Sequence, residues 1–336
     1  MKNISIGIVG LPNVGKSTLF KILTNQNITI ANYPFATIDP NVGIVAVPDE
    51  RLEKLTKLSA SKKTIPAAVE FYDIAGLVKG ANRGEGLGNQ FLSHIKEVNA
   101  IVEVIRCFKS DEIIHVEQGI DPVRDIEIIN TELILKDLDT VEKRLAKLEG
   151  EARAGDKNKI KEKEIVEKIK EVLNANKLAN SLGEKILNGP VVKEMNLLTA
   201  KKQIYLLNGD EADVGEELKN KIKGLGADYL IMNLGQVNNV DGLIKKAYEI
   251  LGLISFLTTG EDETRAWTIK KGEKAPEAAG TIHSDFENKF IRAEVINWGK
   301  LLESGSWNGA KQKGWIRVEG KDYEVQDGDV MVIRHS

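Results

Sequence analysis

A glycine-rich turn between an apolar run and a helical segment constrains the fold of this chain more than any other feature. The apolar residues 4–9 predict a buried strand, and residues 16–24 predict a helix. Between them, residues 10–17 read Gly-Leu-Pro-Asn-Val-Gly-Lys-Ser and match the pattern G-x-x-x-x-G-K-[ST]. This order of strand, turn and helix predicts a P-loop within an α/β fold.

The turn carries the groups that bind a nucleoside triphosphate. Its glycines let successive backbone N–H groups point at phosphate oxygens, and the positive end of the following helix faces the same anions. Lys16 is expected to reach the β- and γ-phosphates, and the Ser17 hydroxyl to bind Mg²⁺. We therefore expect nucleotide contacts from the turn and the first helical turn: Asn13, Val14, Gly15, Lys16, Ser17 and Thr18.

A second motif, Asp-Ile-Ala-Gly at residues 73–76, follows the apolar run 69–72 and places a carboxylate at the end of a predicted strand. In switch NTPases such an aspartate holds Mg²⁺, and the glycine N–H meets the γ-phosphate. Thr37, in the irregular segment between the two motifs, is a candidate second hydroxyl ligand. The expected metal ligands are Ser17, Thr37 and Asp73, and Gly76 joins Lys16 as a catalytic group.

Base recognition is expected after the apolar run 203–207, where residues 208–211 read Asn-Gly-Asp-Glu. GTPases usually have N-K-x-D here, and the aspartate accepts hydrogen bonds from guanine. In this chain the lysine is missing and glutamate stands at the fourth position, so guanine selectivity is not secured. Asn208, Gly209 and Glu211 are the candidate base-side residues, and an ordinary Asn-Gly turn remains the alternative.

Apolar runs at 43–47, 69–74, 100–107 and 203–207 alternate with helical stretches and predict a parallel sheet covered on both faces. Residues 1–254 are expected to form this domain, interrupted at about 125–198 by a helical coiled-coil insertion. Within residues 136–171, 21 of 36 residues are charged. Two seams step by four and three: Ile134, Leu138, Val141, Leu145 and Leu148, then Ile165, Ile169 and Val172. Two solvated surface helices without a partner role are the alternative.

Residues 255–336 predict a small α+β domain. Short strands are expected at 266–269, 315–318, 323–325 and 330–333, separated by turn signals, with a helix at about 275–286. This segment has 12 Lys and Arg against 14 Asp and Glu, so it is not basic. Two aromatic-basic clusters could still contact RNA, although tryptophans in a small domain are more often core: Trp267 with Lys270, Lys271 and Lys274, and Trp315 with Lys311, Lys313 and Arg317.

Composition places the chain in a reducing compartment and away from membranes. Cys107 is the single cysteine, which excludes intramolecular disulfides, and no apolar run approaches the roughly 20 residues that span a bilayer. The net charge of −3 gives no global attraction to nucleic acid or to acidic lipid. We expect a cytoplasmic protein, without a membrane partner, that is a monomer.

These motifs together resemble the YchF family of Obg-related, translation-factor-class P-loop NTPases. The resemblance rests on the P-loop, on Asn-Tyr-Pro-Phe-Ala-Thr at 32–37, on Asp-Ile-Ala-Gly-Leu-Val at 73–78, and on Arg-Cys-Phe at 106–108. It extends to residues 121–133, 265–269 and 290–295, which makes it almost end to end. It implies a Ras-like G domain with a coiled-coil arm, a β-grasp-like TGS domain, an ATPase rather than a strict GTPase, and ribosome association in translation and stress responses.

The resemblance also bears on single residues. Leu77 stands where Ras-like enzymes have a water-orienting glutamine, and His115 matches a histidine on the family's mobile loop, so it is the candidate for that role. Asn13 resembles the asparagine that helps to place K⁺ in cation-dependent relatives. One departure is the sequence Met-Asn-Leu-Gly at 232–235, where the family usually has a Ser-Ala element beside the base.

The sequence therefore favours a slow Mg²⁺-dependent ATPase, with weaker use of GTP, that acts as a switch on the ribosome. A nucleotide-sensing scaffold in which hydrolysis is incidental and a true GTPase remain open. A P-loop kinase is disfavoured because no arginine-rich lid is evident. RNA contact through the arm and the TGS domain is implied by the resemblance and only permitted by the residues.

Overall fold

The computed structural model describes residues 4–25, 41–74, 95–109, 119–152 and 156–336. These residues form two six-stranded sheets. The strands are β1 (Ile4–Val9), β2 (Val42–Ala46), β3 (Lys63–Ile65), β4 (Ala68–Asp73), β5 (Ala100–Arg106), β6 (Lys202–Asn208), β7 (Asp228–Ile231), β8 (Leu253–Thr259), β9 (Glu263–Lys270), β10 (Phe290–Asn297), β11 (Arg317–Glu319) and β12 (Asp329–His335).

The helices of the described residues lie between these strands. They are α1 (Lys16–Asn25), α2 (Glu50–Ser59), α3 (Pro122–Ala152), α4 (Lys157–Asn174), α5 (Glu184–Leu187), α6 (Pro190–Met195), α7 (Glu216–Gly224), α8 (Asp241–Ile250), α9 (Ala275–Ile282), α10 (Ser284–Asn288), α11 (Trp298–Ser304) and α12 (Trp307–Gln312). Short 3₁₀ turns lie at Ala179–Leu182 and Glu211–Asp213. No helix in the described ranges is long and apolar enough to cross a membrane.

The first sheet has the order β2-β4-β1-β5-β6-β7 and confirms the predicted α/β class. Strands β4, β1, β5, β6 and β7 run parallel, and the residues of β5 are all buried, as expected for a strand covered on both faces. The predicted parallel sheet is mixed at one edge, where β2 pairs antiparallel with β4. The parallel strands end along one edge of the sheet, which places the loops after β1, β5 and β6 side by side.

The helical segment between β5 and β6 has its own core. α3 and α4 pack along each other and bury Val141, Ile169 and Leu173 almost completely. The predicted seam on α4 is partly wrong, because Leu173 is buried in place of Val172; Ile165 packs at the edge of the core as predicted, and Val166 is buried in addition. The reason is a third element, α6, which packs on both helices with Val191, Val192 and Met195 and widens the buried face beyond a two-helix seam.

The second sheet, in the order β11-β10-β12-β8-β9-β3, carries the C-terminal α+β unit. Two of its long strands, β8 and β10, are not among the strands that we predicted from the sequence pattern. The predicted strand at 323–325 is wrong, since Glu324 makes only an isolated bridge to Lys274. The single predicted helix at 275–286 is instead divided into α9 and α10, with His283 in extended conformation between them.

One strand of the second sheet comes from the N-terminal half of the chain. β3 pairs in parallel with β9, with Lys63 opposite Glu263 and Ile65 opposite Arg265. Beside it, Leu52 and Leu55 of α2 lie in one hydrophobic core with C-terminal residues, including Leu257, Ala266, Leu301 and Val330. The two sheets are therefore joined by backbone pairing and by a shared core.

Candidate nucleotide-binding site

A cavity of about 860 Å³ lies at the carboxyl ends of the parallel strands, where open α/β sheets bind their ligands. It is bounded by the glycine-rich turn after β1, the segment after β5, and the loops after β6 and β7. Its lining residues are Asn13, Gly15, Lys16, Ser17, Thr18, Phe108, Lys109, Asn208, Asp210, Asp213, Asn233, Leu234 and Gly235. The structure thus brings the predicted phosphate-binding turn and the predicted base-side turn into one cavity.

The turn adopts backbone angles that favour glycine at its two ends. Gly10 has a φ of 150° and Gly15 a φ of 111°, both in the region that L side chains rarely adopt. A Cβ at Gly10 would also lie 2.6 Å from the Val104 carbonyl oxygen, which belongs to the neighbouring strand. Asn13 takes a left-handed conformation with a φ of 62°, which asparagine tolerates better than most residues. The sequence pattern therefore corresponds to a specific backbone shape.

Lys16 begins α1 and its amine lies within the turn. Its Nζ donates a hydrogen bond of 2.5 Å to the Leu11 carbonyl oxygen. Burial lowers the pKa of Lys16 to about 8, and the negative charge of Asp73 opposes that shift. Among the described residues, the Lys16 amine is held by this backbone carbonyl alone, so it is well placed to exchange that carbonyl for phosphate oxygens.

The residues that the sequence assigns to Mg²⁺ fit a hard divalent cation. Ser17 offers a hydroxyl oxygen at the start of α1, and Asp73 offers a carboxylate that is 8% exposed at the end of β4. Oxygen donors of this kind, together with phosphate oxygens and water, are what Mg²⁺ prefers. Asp73 lies opposite Ile8 of β1, two residues before the glycine-rich turn begins, so β4 ends beside that turn.

Asn208, the first residue of the base-side motif, connects three loops. Its Nδ2 donates to the Val14 carbonyl oxygen at 2.8 Å, and its Oδ1 accepts from the Leu234 N–H at 3.0 Å. A Cβ on Gly15 would overlap the same amide, so the turn and Asn208 fit closely. Gly209 donates its N–H to the Met232 carbonyl oxygen at 3.3 Å and is not a lining residue of the cavity. The amide of Asn208 therefore fixes the base-side loop against the phosphate-binding turn.

Glu211 does not lie where the sequence analysis placed it. Its carboxylate is exposed and pairs with Lys219 of α7 at 2.9 Å, and it is not among the lining residues of the cavity. Hydrogen bonds from Lys219 to Glu211 and Glu216 raise the pKa of that lysine. The carboxylates that line the cavity in this region are those of Asp210 and Asp213.

Several predicted residues lie outside the described part of the chain. Thr37, Gly76, Leu77 and His115 all belong to segments that the structure does not describe. Conversely, Phe108, Lys109 and Asn233 line the cavity but were not predicted as site residues. Phe108 belongs to the Arg-Cys-Phe segment that carries the family resemblance, and Asn233 lies in the unusual loop after β7, so both had a signal in the sequence.

The tryptophan clusters of the C-terminal unit do not form exposed stacking surfaces of the expected kind. Trp267 is only 7% exposed, donates its Nε1–H to Thr258 Oγ1 at 2.9 Å, and has the Arg265 guanidinium 4.0 Å from its ring centre. Trp315 is half-buried against the shared core, with Lys313 4.4 Å from its ring centre. The interpretation of Trp267 as an RNA-stacking residue is therefore wrong, because its ring is part of the core.

Comparison with known proteins gives consistent results over nearly the whole chain. A family model described as a 50S ribosome-binding GTPase matches residues 5–144, and a model for the C-terminal region of YchF GTPases, described as a protein of unknown function, matches residues 253–336. A relative from Bacillus subtilis, named ribosome-binding ATPase YchF, is 49% identical over 98% of this chain and 99% of its own length. A relative of the same name from Escherichia coli O157:H7 is 41% identical over 97% of each chain.

The fold agrees with a solved relative as well. The structure of the Schizosaccharomyces pombe YchF GTPase matches with a TM-score of 0.86 and 37% sequence identity, over 99% of this chain and 98% of that one. The match therefore covers both sheets and the inserted helices, and not only the P-loop domain. On this evidence, the chain belongs to the YchF family.

Proposed function

We propose that the chain binds ATP with Mg²⁺ and hydrolyses it slowly to ADP and phosphate, acting as a nucleotide-dependent switch that associates with the ribosome. One observation carries the proposal: the P-loop lysine lines one large cavity, and Asp73 at the end of β4 lies opposite Ile8 of β1, two residues before the P-loop begins. The names of the relatives from Bacillus subtilis and Escherichia coli, ribosome-binding ATPase, support both the nucleotide and the partner. Association with ribosomes agrees with a cytoplasmic location and with a role in translation and its regulation under stress.

We assign each residue at the phosphate end of the cavity a role in binding the phosphates or Mg²⁺. The N–H groups of the turn hold the phosphate oxygens, and the Lys16 ammonium neutralises charge on the β- and γ-phosphates. Ser17, Asp73 and, from the sequence, Thr37 are the protein ligands for Mg²⁺, which when bound neutralises charge on the phosphates. The Gly76 N–H, also assigned from the sequence, meets the γ-phosphate, so that its loop responds to the presence of that group.

Preference for ATP over GTP rests on the position of Glu211. A carboxylate at the fourth position of the base motif normally accepts hydrogen bonds from guanine, and here that carboxylate pairs with Lys219 away from the cavity. A guanine base would lose its selective acceptor, and a polar site that loses its paired contacts discriminates poorly. A true GTPase is the second candidate, because a matching family model and the solved relative are both named GTPases.

Slow hydrolysis follows from the residue that stands at position 77. Leucine has neither donor nor acceptor, so it cannot orient the attacking water as glutamine does in Ras-like enzymes. We assign that positioning role to His115. Single-turnover ATP hydrolysis tests these roles together: Lys16→Ala abolishes Mg²⁺-dependent ATP binding, whereas His115→Ala keeps binding and slows hydrolysis roughly 10²-fold or more.

The same measurement shows which parts of the proposal fail. An unchanged hydrolysis rate in His115→Ala would remove the assignment of that residue and leave ATP binding intact. Full ATP binding and turnover in Lys16→Ala would contradict the site itself. Sedimentation with ribosomes, compared between wild type and Lys16→Ala, tests the switch: nucleotide-dependent association is expected only in the wild type, and equal association in both proteins would favour a scaffold.

Potassium is a second proposed ion, and we expect it to act near the β,γ-bridging oxygen. Asn13 is the proposed contact, since it lies at the exposed tip of the turn and lines the cavity. A monovalent cation there would supply positive charge that other switch NTPases obtain from an arginine. Hydrolysis should then be faster in KCl than in NaCl at matched ionic strength, and equal rates would argue against K⁺.

A further inference from the structure

The two residues that a GTPase uses to read its base are both engaged elsewhere in this chain. The Oδ1 of Asn208 accepts a hydrogen bond from the Leu234 N–H, and one N–H of its amide donates to the Val14 carbonyl oxygen. Glu211 is paired with Lys219 outside the cavity. The base end of the cavity is also lined by other polar side chains, which are therefore candidates to contact the base.

A hydrogen-bonded pair, Asp210 and Asn233, lies at this end of the cavity. Asn233 Nδ2 donates to Asp210 Oδ1 at 3.0 Å, and both residues line the cavity. Each is fixed by a further contact, since Asn233 Oδ1 accepts from the Gly235 N–H at 3.1 Å and the Asp210 N–H donates to Asp213 Oδ2 at 3.0 Å. Two loops, after β6 and after β7, thus hold this pair in a defined position.

The pair keeps one acceptor and one donor for a ligand. Within the described residues, Asp210 Oδ2 accepts no hydrogen bond from another side chain, and the second N–H of Asn233 has no acceptor. An acceptor next to a donor is complementary to the Watson–Crick edge of adenine, which presents the 6-amino group next to N1. Polar contacts that are paired in this way discriminate between bases, because the wrong base leaves them unpaired.

We propose that Asp210 and Asn233 are the residues that determine base specificity: Asp210 accepts a hydrogen bond from the 6-amino group of adenine, and Asn233 donates one to N1. This inference rests on the proposed ATP binding and names the contacts that make it selective.

The order of the two contacts distinguishes adenine from guanine. Guanine has an acceptor at position 6 and a donor at N1, so it would need Asn233 at position 6 and Asp210 at N1. Because the proposed nucleotide is ATP, the acceptor of the pair, Asp210, is assigned to the 6-amino group and the donor, Asn233, to N1. A carboxylate there attracts an amino group and repels the carbonyl oxygen of guanine.

Nucleotide analogues test each contact separately in the full-length protein. Purine riboside triphosphate lacks the 6-amino group, and 1-deaza-ATP lacks N1. We expect the wild type to bind ATP roughly tenfold or more tightly than purine riboside triphosphate, since that contact is to a charged group, and roughly three- to tenfold more tightly than 1-deaza-ATP, since the contact to N1 joins neutral groups. Asp210→Asn should lower the affinity for ATP by the first of these factors while leaving that for purine riboside triphosphate unchanged. Asn233→Ala should lower the affinity for ATP while leaving the affinity for 1-deaza-ATP unchanged.

Two controls separate these contacts from damage to the site. Inorganic tripolyphosphate binds only at the phosphate end, so its affinity should be the same in the wild type and both variants. Glu217→Gln makes the matching change from carboxylate to amide at an exposed position of α7 and should leave every affinity unchanged. If Asp210→Asn also loses tripolyphosphate binding, the variant is damaged at the phosphate end. The affinities of Asn233→Ala for ATP and for 1-deaza-ATP then test the proposal.

The possible results have different consequences. Equal losses for ATP and purine riboside triphosphate in Asp210→Asn would overturn the 6-amino contact. A wild type that binds ATP but does not distinguish it from either analogue would overturn the inference and leave ATP binding intact. Tighter binding of GTP than of ATP by the wild type would overturn the proposed nucleotide, and with it the order of the two contacts. Loss of ATP selectivity in Glu211→Gln, with no effect in Asp210→Asn, would return base specificity to the fourth position of the motif.

Discussion

Glu103, in the middle of β5, is fully buried, and neither of its carboxylate oxygens has a hydrogen-bond partner in the described residues. It lies close to Asp125 on α3, which is also buried, and to Tyr205 of β6. Burial, and then the charge of Asp125, raises the pKa of Glu103 well above its ordinary value. An ionised carboxylate here is unfavourable, so the folded protein favours the protonated form.

This shift predicts how stability depends on pH. In the unfolded chain a glutamate ionises at a pH of about 4.3. Between that pH and the higher pKa of the folded state, the folded protein binds the additional proton, so its free energy of unfolding falls as pH rises. Glu103→Gln mimics the protonated group, so the variant should gain stability relative to wild type as pH is raised from 5 to 8, by at most about 1.4 kcal/mol per pH unit.

Urea unfolding at several pH values checks this prediction. Glu217→Gln, the exposed change on α7, controls for the change in net charge and should give a small difference from wild type at each pH. A difference between Glu103→Gln and wild type that stays constant over the whole range would mean that Glu103 is ionised, and held by a partner, in the folded state.

At the scale of single residues, the role of a residue can be predicted from the sequence when it depends on residues that are adjacent in the chain. The P-loop is of this kind, because the angles of Gly10 and Gly15 and the position of Lys16 follow from eight consecutive residues. The role of Glu211 depends on Lys219, which lies on the next helix, and no motif specifies that pairing. Asn233 contacts Asp210 from 23 residues further along the chain, so a search for consecutive motifs does not find the pair.

The helical arm between β5 and β6 is held by a narrow core and by charge pairs. Ile169 of α4 is completely buried between α3 and its neighbours, whereas Ile160 on the same helix is 40% exposed. Arg144 of α3 pairs with Glu162 of α4 at 3.4 Å and with Glu194 of α6 at 2.9 Å. Because surface ion pairs contribute little, the buried apolar residues carry most of the arm's stability.

Ile169→Ala should therefore lower the free energy of unfolding of the arm by about 2–5 kcal/mol, since it removes buried methyl and methylene groups and leaves a cavity. Ile160→Ala is the matched control on the same helix and should cost less than about 1 kcal/mol, because it exposes little new surface. Urea unfolding followed by circular dichroism at 222 nm measures both. Similar losses in the two variants would mean that the arm is not packed as described.

At the scale of elements, period and charge predict that the arm is helical but not which of its faces is buried. A heptad seam assumes two helices, and it selects Val172. The structure buries Leu173 instead, because α6 adds a third packing surface. The short length of α6, together with its Gly-Pro start, gives no signal strong enough to predict that contact from the sequence.

The two sheets form one unit through the segment that connects β2 to β4. Arg51 of α2 donates to Asp49 at 2.7 Å and to Asp327 at 2.7 Å, and Asp327 in turn accepts from the Ser255 N–H. Ser61 donates its hydroxyl to the Gly260 carbonyl oxygen at 2.6 Å, next to the β3–β9 pairing. This segment leads into β4, which ends at Asp73, so the C-terminal unit is attached next to the strand that carries the metal-ligand candidate.

Removing the central ion pair tests this attachment. Arg51→Met keeps much of the side-chain volume but leaves the largely buried Asp49 carboxylate without its cation, which should cost roughly 1–3 kcal/mol. We expect a lower melting temperature in scanning calorimetry and earlier proteolytic separation of the C-terminal unit. Lys57→Met, at an exposed position of the same helix, is the control and should leave both unchanged. Equal behaviour of the two variants would show that Arg51 does not hold the units together.

The pairing that connects the two sheets is the part of the fold that is hardest to predict from the sequence. β3 is three residues long and pairs with a strand about 200 positions further along the chain, as the Lys62–Asp262 ion pair beside it also shows. A three-residue run has no usable period, and pairing over that separation leaves no local trace. The pattern of the first sheet could be predicted from its apolar runs, whereas the connection between the two sheets could not.

The central claim is that this molecule holds ATP in the cavity at the end of its first sheet, with base contacts that disfavour guanine. Calorimetric titration of the intact protein with ATP and with GTP, each with Mg²⁺ at the same ionic strength, tests it most directly. The structure and the proposed contacts predict that ATP binds at least tenfold more tightly than GTP, a difference of about 1.4 kcal/mol in binding free energy. Tighter binding of GTP would contradict the claim.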